Sequence, residues 1–591
     1  MKYIVIWIAT LMFVASLANA EHVGDFAAID HTGVHHQLSE YSTRRAVVLY
    51  AQANGCPVTR RGVHDLRAIE KRFQDQNVEF LLLNSNPQDS VQEIREEAQE
   101  FQFGLPVLKD ETQFIAKTLS IRSSATVVVL DPATQTIVYR GPMNDRQTYD
   151  RQFKAAKTEY LAEALLAYLE GQPVVQPHQS VVGCLTSFND LGQYDREPLS
   201  YTADIAPILT ERCSECHRDG GVAPWAMTDY DTIAGWSSMI RNVLLTKRMP
   251  PGQVDPNVGS FMDNGHMISN GEVQQLLHWI DAGMAYGSGA DPLQRVRPKT
   301  RTWERGEPDL IVEVPRQEIP GTGIIDYKYL VVDPGISEDR WIEAVEFLPG
   351  NAEVLHHAIA YVEHSPKAEA GLTDVAGIRK YDANWSQIMG YTPGKAGAFA
   401  FPQNTGRFVA ANSRMMINLH YTTTGKPAAD ASRIGLYFHK KPPTFPLHRP
   451  AIINVEFAIP PNDPAYEVSS EISIAHDALL FSVSPHMHYR GKSMRFEAVL
   501  PNNEVVDLIS IPDYQFDWQM NYVFEEPIAV PAGTRIKVHA VYDNSTANRF
   551  NPDPESWVYW GDQTFEEMFI GYVSYRKQGE SQNMHKGVAA R

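Results

Sequence analysis

Apolar and polar positions follow different periods in different parts of the chain. Near the N-terminus, residues 45–51 and 79–84 are short apolar runs of the kind that form buried strands. Between them, after a turn at Asn54-Gly55, Val63, Leu66, Ile69 and Phe73 recur every three or four residues, which predicts a helix opening at Cys56. Residues 125–131 and 137–141 predict a hairpin, and 159–168 a closing helix. Strand and helix alternate here, an α/β pattern. Further on, Ser269 and Glu272 cap a helix through Leu276, Leu277, Trp279 and Ile280 that ends at Gly283. Residues 291–301 are rich in Pro and Arg and read as a linker. Beyond 303 short runs such as 310–314, 327–332, 341–345 and 536–540 alternate with Pro, Gly and Asn turns. That is an all-β signature in two sandwich-sized halves, divided near Lys441-Pro442-Pro443-Thr444. The expected chain is multidomain: α/β at 21–195, a small all-α module at 198–292, and β-sandwiches at 303–441 and 445–580.

Composition narrows the possibilities. A length of 591 residues suggests three to five domains, and 43% hydrophobic residues fit a globular protein. A net charge of −19 argues against a nucleic-acid partner, which needs a basic face. Lys2, the apolar run at 4–14 and Ala18-Asn19-Ala20 have the form of a cleaved export signal, residues 1–20. An uncleaved anchor is the alternative. No later stretch approaches a membrane span. The expected location is periplasmic or secreted, an oxidising compartment for the four cysteines.

Cys56 stands at the predicted helix N-terminus, where the helix dipole can lower a thiol pKa. The region resembles the redoxin branch of the thioredoxin fold. It departs from that pattern in two places: Thr59 replaces the second cysteine of a C-x-x-C motif, and Ala125 stands at the position of the cis proline. Cys56 is either a structural half-cystine bonded to Cys184 or a reactive thiol of a one-cysteine peroxidase or sensor.

Cys213-Ser214-Glu215-Cys216-His217 is a C-x-x-C-H motif, the covalent attachment site of haem c. Two thiols add across the vinyl groups and the histidine becomes an iron ligand. No second pair of thiols is left over to close a zinc site. Met249, in a proline-bounded loop, is the expected second axial ligand, with Met239, His266 and Met267 as rivals.

His486 and His488 are separated by one residue. In a strand, side chains at that spacing share a face and can grip copper or zinc together. His356-His357, then His420-Tyr421, then His486-x-His488, then Met568 in Glu567-Met568 with Tyr572 beyond, follow in that order. Over residues 305–580 the series resembles the copper type II, ascorbate-dependent monooxygenases. The resemblance implies two jelly-roll-like sandwiches holding two copper ions, one on His356, His357 and His420, the other on His486, His488 and Met568. The first would accept electrons. The second, softened by its thioether, would activate O2 and hydroxylate a C–H bond of a small-molecule or peptide substrate. Tyr572 and Asn418 match family positions near the active face. Ser484 stands where peptide-hydroxylating members carry a substrate-binding arginine. Arg490, two residues after His488, could supply another anion contact.

Together the modules imply an exported oxidoreductase, a copper monooxygenase whose electrons pass from an external donor through the fused haem to the first copper. Two alternatives of other classes are a non-catalytic haem and copper electron carrier, and a thiol peroxidase centred on Cys56.

Overall fold

The computed structural model describes residues 21–146, 151, 153–263, 267–295, 303–363, 385–392 and 399–579. The expected export signal and His266 lie outside these residues. The chain divides into two compact units, with the change at Phe188/Asn189; the short stretch Gly33–His35 belongs with the second. Among the described residues no helix is long and apolar enough to cross a membrane.

The first unit is a thioredoxin-like α/β domain. Strands Ala46–Gln52 and Val78–Asn84 run parallel, Val78–Asn84 and Val107–Lys109 also, and Val127–Asp131 joins antiparallel with its hairpin partner Thr136–Gly141. Helix Pro57–Phe73 buries Val63, Leu66, Ile69 and Phe73, the apolar stripe of the sequence. Proline at its first turn costs no hydrogen bond, because that N–H has no helical acceptor. Helix Val91–Glu100, with a Ser90/Glu93 capping box, was not anticipated: its turn-per-turn apolar signal is thin.

The second unit begins with helices. Tyr201–Ile205 leads into Ala206–Arg212, followed by Tyr230–Leu245 and Asn270–Asp281. The last has the anticipated Ser269/Glu272 capping box. The supposed linker starts later than expected. Asp291 is buried and accepts from the Tyr201 hydroxyl at 2.8 Å and the Tyr230 N–H at 2.7 Å, so it belongs to the helical packing.

Two sandwiches follow. In the first, strands Lys328–Val332, Met415–Tyr421, Leu355–Glu363 and Trp385–Tyr391 form one sheet. The other is built around Arg340–Leu348, and both contribute to one hydrophobic core. In the second, the sheet Ala451–Asn454, Phe569–Lys577, Ala478–His486, Tyr522–Val530 packs on the sheet Tyr466–Ile474, Thr534–Tyr542, Gly491–Val499, Val505–Ile511. The division falls after the expected point. Phe445–Pro446 still pairs with Thr405–Gly406, and Leu447 packs in the first core. Of the prolines there, Pro446 lies in an edge strand, where a missing N–H is tolerated.

Candidate metal centre

Two adjacent histidines in a regular strand would point to opposite faces. At His356 the register slips: Leu355 pairs with Tyr421, but His357 pairs with His420. This bulge inserts one residue and lets both His356 and His357 leave the core face. On the neighbouring strand Ile417, Leu419 and Tyr421 enter the core, which puts Asn418 and His420 on the outer face with them. The ligand nitrogens of His356, His357 and His420 lie within 4.8 Å of one another. The Nδ1 atoms of His356 and His357 are 3.1 Å apart. Among the described residues Nδ1 of His420 is buried with no hydrogen-bond partner, an orphan that a metal ion would satisfy.

In the second sandwich Ser484 pairs with Tyr572 and His486 with Ile570. Phe569 and Val573 enter the core, while Met568, Ile570 and Tyr572 form a separate buried cluster on the opposite face. Met568 therefore shares the face of His486. The remaining hydrogen bonds fix the imidazoles. His486 Nδ1 meets Gln519 Oε1 at 2.7 Å, and His488 Nδ1 meets the Glu566 carbonyl at 3.2 Å. His488 meets the Gln563 backbone as well, while the bond at Nδ1 leaves Nε2 of His486 for a ligand, the usual arrangement of metal-binding histidines.

The two outer faces border a partly open cavity of about 60 Å³. It is lined from one side by His357 and Arg407 and from the other by Ser484, His486 and Tyr572. Two aromatic rings join the histidine sets. Tyr327 stacks on His420 at 4.5 Å and on His488 at 6.5 Å. Phe516 stacks on His356 at 5.2 Å and lies 5.8 Å from His488.

Burial holds these imidazoles neutral. His420 is pushed down to about 3 and His486 to about 4, by desolvation first. His357 and His488 are driven well below the ordinary value by burial and by neighbouring imidazoles. Neutral imidazole is the form that ligates metal.

Other anticipated residues fare differently. Tyr572 lines the cavity, its ring 5.1 Å from the Arg449 guanidinium carbon. Asn418 is buried on the histidine face but does not line the cavity. Arg490 is a correction. The strand ends at His486 and the chain turns, so alternation no longer aims Arg490 at the site. It is buried, donating to Asn544 Oδ1 at 2.7 Å, the Phe565 carbonyl at 2.8 Å and the Asp553 carbonyl at 3.3 Å. The arginines that do face the cavity, Arg407 and Arg449, carried no signal in the sequence. Arg449 reaches Ser484 Oγ at 3.0 Å, with Gln387, Asn521 and Ser574 as further acceptors. Among the described residues, Arg407 Nε is buried without a partner and no carboxylate lines the cavity.

In the helical region Cys216 N and His217 N both donate to the Cys213 carbonyl, which puts the three side chains on one turn. His217 Nδ1 lies 3.1 Å from the Trp225 carbonyl, leaving Nε2 for a ligand. Burial pushes the Cys213 thiol up to about 12 and the Cys216 thiol to about 11. Met249 is half-buried, whereas Met239 and Met267 are exposed. The segment after Met249 runs onto the second sandwich: Asp255 N donates to the Ser510 carbonyl, Met262 N to that of Val523, and the Tyr522 hydroxyl to that of Gly252. Gly252 has a φ of +71°, and a Cβ there would lie 2.7 Å from Met520. In the first unit Cys56 Sγ is 3.1 Å from Cys184 Sγ and 3.4 Å from Ser124 Oγ. Ala125, at the cis-proline position, takes a φ of +63° and donates to the Ala51 carbonyl.

Residues 20–142 match the AhpC/TSA family, and residues 451–587 match the copper type II ascorbate-dependent monooxygenase C-terminal domain. The matched copper domain contains His486, His488 and Met568 and implies copper and an oxidoreductase activity. A comparison with curated proteins finds no match for the chain. Similar solved structures include an uncharacterized conserved protein from Geobacillus kaustophilus, with 26% identity over 29% of this chain and 92% of that one and a TM-score of 0.27. The exposed lipoprotein thioredoxin of Streptococcus pneumoniae gives 21% identity, 25% and 99% coverage and a TM-score of 0.20. Peroxidoxin BcpB from Mycobacterium tuberculosis gives 19%, 26% and 96%, and 0.21.

Proposed function

We propose that the protein is an exported copper monooxygenase that inserts one oxygen atom of O2 into a C–H bond of an organic substrate. One observation carries it: His357 of one sandwich and His486 of the other line the same cavity. The donor sets fit two copper ions. His356, His357 and His420 would hold one, His486, His488 and Met568 the other, and copper there would supply one-electron transfer and activation of O2. The chain's own part is to bind and orient. Gln519 and the Glu566 carbonyl fix the rings of His486 and His488. Tyr572 and Arg449 line the cavity side by side.

The cavity chemistry favours a substrate with an anionic group. Burial lowers Arg407 and Arg449 to about 10 each, still cationic at neutral pH, and among the described residues neither has a carboxylate in the cavity wall. A carboxylate or phosphate would complete both.

We further propose that Cys213, Cys216 and His217 hold a haem c, which would supply electrons singly from an external donor. The packing of residues 252–262 on the second sandwich supports that placement. Cys56 and Cys184 would be disulfide-bonded after export.

Metal analysis should give about two coppers and one iron per chain. Turnover under ¹⁸O2 should then leave one labelled oxygen in the product. Haem oxidation without any labelled product would favour an electron carrier instead.

A further inference from the structure

The loop at 512–521, between strands Val505–Ile511 and Tyr522–Val530, reaches both histidine sets. Tyr514 brackets the residue between the second pair, accepting from Met487 N at 3.0 Å and donating to its carbonyl at 2.9 Å. Gln519 holds His486. Phe516 packs on His356 and His488. Asp517 goes further and crosses between sandwiches: its Oδ1 lies 3.0 Å from Nε2 of His356. The Nδ1 of that same ring faces His357 Nδ1.

A ligating histidine is oriented by whatever holds its other nitrogen, and a carboxylate there fixes the tautomer and raises the ligand's basicity. We propose that Asp517 is a positioning residue for the first metal site, so that a site built from first-sandwich ligands is completed by the second sandwich. Nε2–H of His356 donates to Asp517, which leaves the Nδ1 lone pair directed at the ion. Phe516 keeps the ring from rotating out of that line. The first histidine set is then fully formed only while the loop is seated against it. The ring packing of Phe516 and the bond from Gln519 seat that loop on the second set. This rests on the copper reading above.

Loss of such an outer partner typically weakens metal binding about 10- to 100-fold. Asp517 is 60% exposed, so water can replace part of the bond and the low end, about tenfold, is expected.

The test is Cu(I) titration of the metal-free full-length chain against a competing chelator. The wild-type chain should take up two equivalents. Asp517→Ala should weaken one of them about tenfold and leave the other within about twofold. Asp517→Asn keeps an oxygen acceptor and should restore most of the loss. In a His486→Ala background, where only the first set binds, Asp517→Ala should also shift the Cu(II) hyperfine splitting. Unchanged affinities and spectra, or Asp517→Asn no better than Asp517→Ala, would overturn the proposal. Should Asp517→Ala misfold, judged by circular dichroism, Asp517→Asn against wild type decides: it should lie within a few-fold, and a full loss of one equivalent would refute positioning by an acceptor. A wild-type chain taking up no copper would overturn the metal reading as well.

Discussion

Glu567 offers the sharpest energetic test of how the second site is held. It is fully buried. Its Oε2 accepts from His488 N at 2.8 Å and Met568 N at 3.3 Å, and its Oε1 accepts from Arg490 N at 2.6 Å. Two metal-ligand candidates thus hang from one carboxylate. Burial drives that carboxyl upward, while the three N–H groups and the Arg490 charge oppose the shift. Glu567→Gln keeps the shape but leaves one acceptor oxygen. The amide nitrogen must then face a backbone N–H, and an orphaned buried donor costs about 1–3 kcal/mol. The expected loss is therefore about 1–3 kcal/mol, against the ~5–15 kcal/mol that holds a domain together. Urea unfolding of the metal-free chain should show it as a midpoint shift of roughly 0.5–1 M in the transition of the second sandwich. A shift worth less than about 0.5 kcal/mol would refute this account of the clamp.

Acid should destabilise the metal-free protein through its neutral histidines. The unfolded chain protonates them near pH 6.5 and the folded chain resists to about 3 for His420 and about 4 for His486. Stability present above pH 6.5 is thus lost as pH falls towards 4, at about 1.4 kcal/mol per unit for each. His420→Gln should flatten the curve by that slope, and parallel curves for variant and wild type would sink the idea. Arg449→Met should raise the KM for an anionic substrate at least about 30-fold, the equivalent of roughly 2 kcal/mol. A neutral analogue should be little affected, and equal losses for both would count against an anion-binding role. In the reduced chain a maleimide should label the exposed Cys184 and spare the buried Cys56, and without reductant it should label neither. Rapid labelling of both before reduction would exclude the disulfide.

What could be read in the sequence was what local chemistry dictates. Cys56 at a helix start, the Ser269 cap and the two-residue spacing of His486 and His488 each depend on neighbours a few residues away. Donor chemistry was equally local. Imidazoles and a thioether imply a soft metal wherever they meet, and their grouping into two sets came from the resemblance of their order to that of the copper monooxygenases.

Alternation failed wherever the backbone left its regular period. A bulge at His356 turns two adjacent histidines to one face, and the end of the strand at His486 turns Arg490 away from the cavity. Neither event has a marker in residue type. The residues that finish the site, Asp517, Gln519, Phe516, Arg407 and Arg449, were invisible for a related reason. They come from loops and strands whose directions are set by how two sandwiches pack, and Asp517 meets His356 across 161 positions of chain. Side-chain chemistry thus determined which atoms could bind a metal. Packing decided which partners would hold those atoms still, because a hydrogen bond between distant segments exists only after both segments have been placed.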